Sequence, residues 1–296
     1  MLSVLIPTYN YNCFPFVKEL HKQFVKEKVC FEIFCLDDGS KSHLNIKNQA
    51  INNLSFANFE ALETNIGRSA IRNLLAKKAN FNWLLFLDSD GFPVHDNFIK
   101  LYLDKIKELK TDFSGFIGGR IHKVNSVKNL RIKFGIEREE VAADLRNKNS
   151  YRYFFTSNIL IKKSVFNEIK FNEKLTGYGY EDLVFGNEMK ALKHKIFHIN
   201  NPVYHLQIED NAVFINKTKQ GLNNLLFLKK QNLLKENDVK LLSYFNKINS
   251  FGLHAIMIKL KDFFIQKAIK TSSLFYYDLF KLSYLCYLKE KENETK

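Results

Sequence analysis

Short apolar runs alternate with longer amphipathic stretches through the first 120 residues of the chain. LSVLI (2–6), FEIFCL (31–36), NFEAL (58–62), WLLFL (83–87) and FSGFIGG (113–119) read as strands bounded by turn residues. The stretches between them, around 14–28, 41–54, 67–79 and 96–110, have helical spacing. Such a series predicts an α/β fold, a mostly parallel sheet with helices on both faces. Ligands of such sheets bind outside the carboxyl ends of the strands, which directs attention to Pro7 to Asn10, Asp37 to Ser40, Thr64 to Arg68 and Asp88 to Gly91.

Residues 121–150 are polar and charged and read as an insertion or a mobile loop. A second ordered block follows. FFTSNILI (154–161) and KIFHI (195–199) read as strands, and Glu181 to Lys193 as a helix preceded by the turn Gly177-Tyr178-Gly179. From about residue 210 the pattern is helical. Within 251–270, Leu253, Ile256, Met257, Leu260, Phe263, Phe264 and Ala268 fall at helical spacing among Lys259, Lys261, Lys267 and Lys270, which predicts an amphipathic helix. The aromatic run 274–288 is interrupted by Asp278 and Lys281 and is shorter than the ~20 residues of a spanning helix. It suits core packing, a dimer contact or the membrane interface.

Composition narrows the class. Hydrophobic residues make up 46% and charged residues 26% of the 296, which is globular and excludes a fibrous or disordered chain. Leu2 to Ile6 runs straight into Pro7 with no basic segment before it, so no signal peptide is expected and the cytoplasm is the expected compartment. Cys13, Cys30, Cys35 and Cys286 form no CxxC pair and read as reduced thiols. The net charge is +14, and residues 216–296, with fifteen lysines against seven acids, carry more than half of it. That surface suits an anionic partner or plain solubility.

The segment LLFLDSDG (84–91) delivers Asp88 and Asp90 to the end of an apolar strand. Two acids on alternate residues repel unless a cation lies between them, and oxygen ligands suit Mg²⁺ or Mn²⁺, which neutralise a diphosphate. A haloacid-dehalogenase-type phosphatase also ends an apolar strand in Asp-x-Asp-Gly, with Asp88 then as nucleophile. Its motif opens the fold, however, whereas three strands precede this one.

IPTYN (6–10), LDDGS (36–40), TNIGRSAIRN (64–73) and LDSDG (87–91) occur in order at four successive strand ends, and in this the chain resembles the inverting family 2 glycosyltransferases of GT-A fold. The likeness spans about residues 1–205. It implies a nucleotide-sugar site formed by Pro7, Thr8, Tyr9, Asp37, Asp38, Asn65, Arg68, Arg72, Asp88 and Ser89. It further implies a Mn²⁺ or Mg²⁺ held by Asp88, Asp90 and His205, the histidine lying after the last core strand.

LTGYGYEDLVFGNEM (175–189) is similar to the glycine-rich turn and Glu-Asp pair of the same family, in which the aspartate acts as base. Asp182 is therefore expected to take the acceptor proton and Glu181 to hydrogen-bond the acceptor, the helix dipole favouring both in ionised form. Asn172-Glu173 departs from the usual Asp-Glu, and with Trp83 as the only tryptophan the Gln-x-x-Arg-Trp motif of processive synthases is absent. Transfer of single sugars is expected.

The expected layout is a catalytic domain over 1–210, with a nucleotide-sugar half (1–120) and an acceptor half (150–210), followed by a basic, aromatic helical region over 211–296. The donor would be a UDP-sugar and the acceptor a glycan or lipid-linked precursor of surface polysaccharide or lipopolysaccharide. The tail would touch the anionic inner face of the membrane or join two copies of the chain, and no nucleic acid is expected. The rival readings are a phosphohydrolase using Asp88 and a non-catalytic binding protein on the same scaffold.

Overall fold

The computed structural model describes residues 1–294 apart from 109–112, 124–127, 176 and 236–237. The first half runs β1 (Leu2–Thr8), α1 (Phe14–Glu27), β2 (Phe31–Asp37), α2 (Asn45–Asn48), β3 (Ala57–Ala61), α3 (Arg68–Lys78), β4 (Trp83–Leu87), β5 (Gly91–Pro93), α4 (Phe98–Glu108), β6 (Gly115–Ile117) and β7 (Arg120–His122). It continues through α5 (Leu130–Arg138), α6 (Ala143–Asn147), β8 (Asn158–Lys162), α7 (Lys163–Ile169), α8 (Glu181–Ala191), β9 (Ile196–His198) and β10 (Val203–His205). Four helices close the chain: α9 (Asn211–Lys230), α10 (Lys240–Ser250), α11 (His254–Thr271) and α12 (Leu274–Glu294).

The chain divides into two compact units, the first comprising Met1–Lys123, Arg138–Leu175 and Glu181–Gln207, the second the remainder. The first unit holds a seven-stranded sheet in the order β3-β2-β1-β4-β8-β6-β9 and a three-stranded sheet in the order β5-β10-β7. In the large sheet only β8 runs against its neighbours. β1 and β4 are apolar on both faces because helices cover both. Leu2, Val4 and Leu85 face a cluster with Phe16, Leu20 and Phe24 of α1, while Leu5, Leu84 and Phe86 face one with Ile71 and Leu75 of α3. Each such fully buried Leu or Phe contributes about 1.5–3 kcal/mol, so the central strands are the rigid base on which the strand-end loops stand.

The GT-A architecture expected from the sequence is present, with two local differences. The stretch 41–54 is one short turn of α-helix followed by a 3₁₀ segment. The stretch 121–150, expected as an insertion or a mobile loop, forms α5 and α6 in its described part, which contradicts the mobile loop and leaves the insertion standing. Its charges misled because they are buried as anchors. Arg146 of α6 donates to the carbonyls of Gly118 (3.2 Å) and Ile199 (3.0 Å), and the Arg131 guanidinium of α5 lies over the rings of Phe134 and Phe214. In each case a long cation closes exposed backbone or covers an aromatic face, so a polar sequence yields a packed helix.

The second unit is helical. Asp210 caps α9 by accepting from the Val213 amide at 2.8 Å. α12 turns Leu274, Tyr277, Phe280, Leu285 and Cys286 inward, with Tyr277 stacked on Phe214 of α9. One face of the aromatic run 274–288 is thus core, while Phe275 is exposed. α11 is divided: Phe264, Ile265 and Ala268 are buried, whereas Ile256, Leu260 and Phe263 are exposed beside Lys259 and Lys267. No helix among the described residues is long and apolar enough to cross a membrane.

Candidate active site

The loops after β1, β2 and β4 and the start of α3 build one side of the site. Pro7 and Thr8 pair in register with Leu36 and Asp37, which sets the ends of β1 and β2 level. Tyr9, just past β1, is 58% exposed and presents its ring to solvent. Asp37 is fully buried and accepts from the Ser40 amide (2.8 Å), the Ser40 hydroxyl (2.7 Å) and the Asn45 side chain (3.0 Å). Asp38 accepts from the amides of Ile66 (2.7 Å) and Gly67 (3.1 Å) at the start of α3, while the Asn65 side chain donates to the Asp38 carbonyl at 2.9 Å. Gly39, at φ +65°, allows this approach, since a Cβ there would lie 2.3 Å from the Thr64 carbonyl carbon. Burial raises the Asp38 carboxyl above its ordinary range and the two amides oppose it.

Asp88 has a different kind of partner. The Arg72 guanidinium, itself 3% exposed, donates to Asp88 Oδ1 at 2.9 Å and lies over the Phe171 ring. Burial alone would raise the Asp88 carboxyl, but Arg72, with Arg68 and Arg120, outweighs it and holds the group below its usual value. The Asp88 amide donates to Ser157 at 3.1 Å, tying the β4 end to the start of β8.

Across this tie stands α8. Glu181 and Asp182 occupy its first turn, where the backbone amides favour negative charge. Glu181 accepts from Arg68 Nε at 2.8 Å. Asp182 accepts from the Thr156 amide at 3.2 Å and from the Thr156 hydroxyl. Burial, then the Glu181 charge, raises the Asp182 carboxyl, against Arg72 and the Thr156 hydroxyl. The two acids are held differently: Glu181 by a cation, and Asp182 by the neutral donors of Thr156.

The small sheet brings the last pair together. β10 lies between β5 and β7, with His205 level with Gly91 on one side and with His122 on the other. Since Gly91 follows Asp90, this register sets His205 Nε2 3.0 Å from Asp90 Oδ2. The Leu206 amide donates to the Asp90 carbonyl at 2.9 Å and fixes the approach. A carboxylate oxygen and an imidazole nitrogen side by side, both partly exposed, are donors that suit Mn²⁺ or Mg²⁺ as two ligands of a fuller set. Among the described residues no group of three or more His, Cys, Asp or Glu stands ready as a metal site.

The family model described as glycosyltransferase like family 2 matches residues 3–212. The chain belongs to that family. It is a glycosyltransferase. No curated protein matches the sequence. Among solved structures, it is similar to S. aureus TarS 1-349 in complex with UDP-GlcNAc, with a TM-score of 0.51 and 20% identity over 100% of this chain and 92% of that one. The mannosyltransferase PcManGT from Pyrobaculum calidifontis, in complex with GDP-Man and Mn²⁺, gives a TM-score of 0.52 and 11% identity over 77% of this chain and 64% of that one. A longer TarS chain, at a TM-score of 0.50 and 22% identity, is covered over 55% of its length. At these identities the likeness establishes the fold.

In this glycosyltransferase the ionisable residues expected at the acceptor and metal sites, with Arg68 and Arg72, fall into two networks within the first unit. One runs Glu181, Arg68, Arg72, Asp88, and Asp182 senses the charge of its Asp88 and Arg72 members. The other is Asp90 with His205. Asp88, grouped by sequence with Asp90, has Arg72 as its partner. Ser89 is partly exposed between them. Thr156, His122 and the acids Glu139 and Glu140 beside His122 were not foreseen. No motif marks them: Thr156 precedes its strand as an ordinary polar residue, and His122 opens a stretch whose charge looked like loop.

Proposed function

We propose that this glycosyltransferase moves a single sugar from a UDP-sugar to a hydroxyl of a glycan or lipid-linked acceptor, with inversion, in the assembly of surface polysaccharide or lipopolysaccharide. The observation that carries the reading is the pairing of Asp90 with His205 just past β4, whose Asp88 is linked through Arg72 and Arg68 to Glu181 in the first turn of α8. The donor class is supported by the UDP-GlcNAc bound to TarS and by the GDP-Man and Mn²⁺ bound to PcManGT.

Tyr9 offers its exposed ring to the base, and the buried, hydrogen-bonded Asp37 and Asp38 hold the loops that border the nucleotide. Pro7, Thr8 and Asn65 complete that border. Arg72 fixes Asp88, and Arg68 fixes Glu181 to orient the acceptor. Asp182, its carboxyl raised by burial and by Glu181, accepts the proton of the attacking hydroxyl, and Thr156 aims it. A Mn²⁺ or Mg²⁺ held by Asp90 and His205, with Asp88 in support, would neutralise the charge of the departing diphosphate. Asp182, its carboxyl raised by burial, and Asp88, held low by its ion pair with the buried Arg72, are of unequal basicity in one network, which suits a base and a fixed anion.

The exposed Ile256, Leu260 and Phe263 of α11, rimmed by lysines, support peripheral contact with an anionic membrane, each nearby lysine adding about 1 kcal/mol. This would keep the enzyme at the cytoplasmic leaflet beside a lipid-linked acceptor.

A thermal-shift screen of nucleoside diphosphates with and without Mn²⁺ tests the reading. UDP with Mn²⁺ should stabilise the fold selectively, by about 2.7 kcal/mol at a hundredfold excess over Kd. Release of phosphate from phosphate esters through Asp88, without nucleotide binding, would establish the phosphohydrolase instead.

A further inference from the structure

His205 has two ring nitrogens, and only one of them faces Asp90. His205 Nδ1 lies 3.3 Å from His122 Nε2, with the two rings edge to face at 5.2 Å between centroids. His122 is a buried side chain whose own Nδ1 lies 2.8 Å from Glu140 Oε1, and the His122 backbone amide donates to the same oxygen at 2.5 Å. Glu139 adds a second carboxylate at 3.8 Å from His122 Nε2, and Arg120 pairs with Glu139 at 2.6 Å. A buried histidine between a carboxylate and a second histidine is more than packing requires, because an apolar side chain would fill the same space without desolvating polar groups.

We infer that His122 and Glu140 form a positioning relay that sets the tautomer and ring plane of His205 for a divalent cation. The order of hydrogen bonds follows from donor and acceptor chemistry. An ionised carboxylate only accepts, so His122 Nδ1–H donates to Glu140 and His122 Nε2 keeps its lone pair. With a divalent cation beside Asp90, that lone pair would accept from His205 Nδ1–H and leave the His205 Nε2 lone pair for the cation. A neutral imidazole that donates through one nitrogen is a better ligand through the other. The register of β7 and β10 builds the relay: His122 and His205 are paired residues of adjacent parallel strands, so their side chains leave the small sheet on one face. The inference rests on the reading of His205 as a metal ligand.

Direct titration of Mn²⁺ in the presence of UDP, followed by the electron-spin signal of the free ion, tests relay and reading separately in the full chain. His122→Leu, which removes the acceptor, should weaken Mn²⁺ binding about tenfold or more, as loss of an outer partner does elsewhere. His122→Gln, whose amide oxygen can stand where Nε2 stood, should recover most of the loss; a purely structural role would not separate the two. In the unaltered protein with Mg²⁺ and UDP, ¹⁵N ring spectra should show both His122 and His205 protonated at Nδ1. Should His122→Leu fail to fold, those spectra decide alone, and a proton on His205 Nε2 would overturn the relay. Mn²⁺ binding that is lost in His205→Ala but intact in a folded His122→Leu would reject the relay while keeping the ligand. Binding unaffected by His205→Ala would reject both.

Discussion

Two carboxylate turns end parallel strands separated by β1: Asp37-Asp38 after β2 and Asp88-Ser89-Asp90 after β4. They look alike in sequence and differ in what satisfies them. Asp37 and Asp38 are met by neutral donors, namely the Ser40 amide and hydroxyl, the Asn45 side chain and the Ile66 and Gly67 amides before α3. Asp88 and Asp90 are met by the ionisable side chains of Arg72 and His205. The first arrangement shapes loops. The second holds charges that a ligand can share or exchange, which is why chemistry is assigned to the β4 end and scaffolding to the β2 end.

The contrast can be broken or sharpened by substitution. Asp182, held by the Thr156 hydroxyl and proposed as the base, is the most demanding case. Asp182→Asn should lower turnover of a UDP-sugar, followed as UDP release, by about 10² to 10⁴-fold with donor affinity unchanged. Glu181→Gln should act mainly on acceptor KM; near-normal turnover in Asp182→Asn with a dead Glu181→Gln would reverse the two roles. At the β2 turn the effect should appear in stability instead. Asp37→Ala removes three hydrogen bonds to a charged group and should cost about 3 kcal/mol or more in denaturant titration, whereas Asp88→Asn should cost less. Equal losses at both turns would erase the distinction between them.

On α11, Leu260→Glu should weaken binding to vesicles of anionic lipid about tenfold without changing UDP release. Unchanged vesicle binding, or a dimer in solution that the substitution dissolves, would assign that face to a second copy. The smallest effect concerns pH. The Thr156 hydroxyl favours the ionised form of Asp182, so Thr156→Val should raise that carboxyl further. Because the base works ionised, the acid limb of the kcat/KM profile should move to higher pH. A limb that stays in place would separate Asp182 from the rate.

Much of this was legible in the sequence because it depends on near neighbours. WLLFL forms β4 over the residues its apolar run marks, and the acids past its end fall at the sheet edge as strand polarity requires. The parts that were not legible depend on long-range pairing. Nothing local tells that Asp88 faces an arginine on α3 or that Thr156 receives Asp182. The register of β5, β10 and β7 is likewise set by backbone pairing of three-residue strands whose sequences carry almost no periodicity. Residues 121–150 misled for a related reason: Arg131 and Arg146 are charged in composition and buried in fact. The aromatic run of α12 suited core, dimer contact or membrane interface in sequence, and its packing on α9 places one face of it in the core.

The central claim is that the β4 end binds a nucleoside diphosphate through a divalent cation, and calorimetric titration of UDP with and without Mn²⁺ tests it most directly in the unaltered chain and in Asp90→Ala. The account predicts binding that requires Mn²⁺ in the former and loses that dependence in the latter, with an unchanged melting curve because Asp90 is partly exposed and outside the core. UDP affinity that ignores Mn²⁺, or Mn²⁺-dependent binding that survives Asp90→Ala, would contradict it.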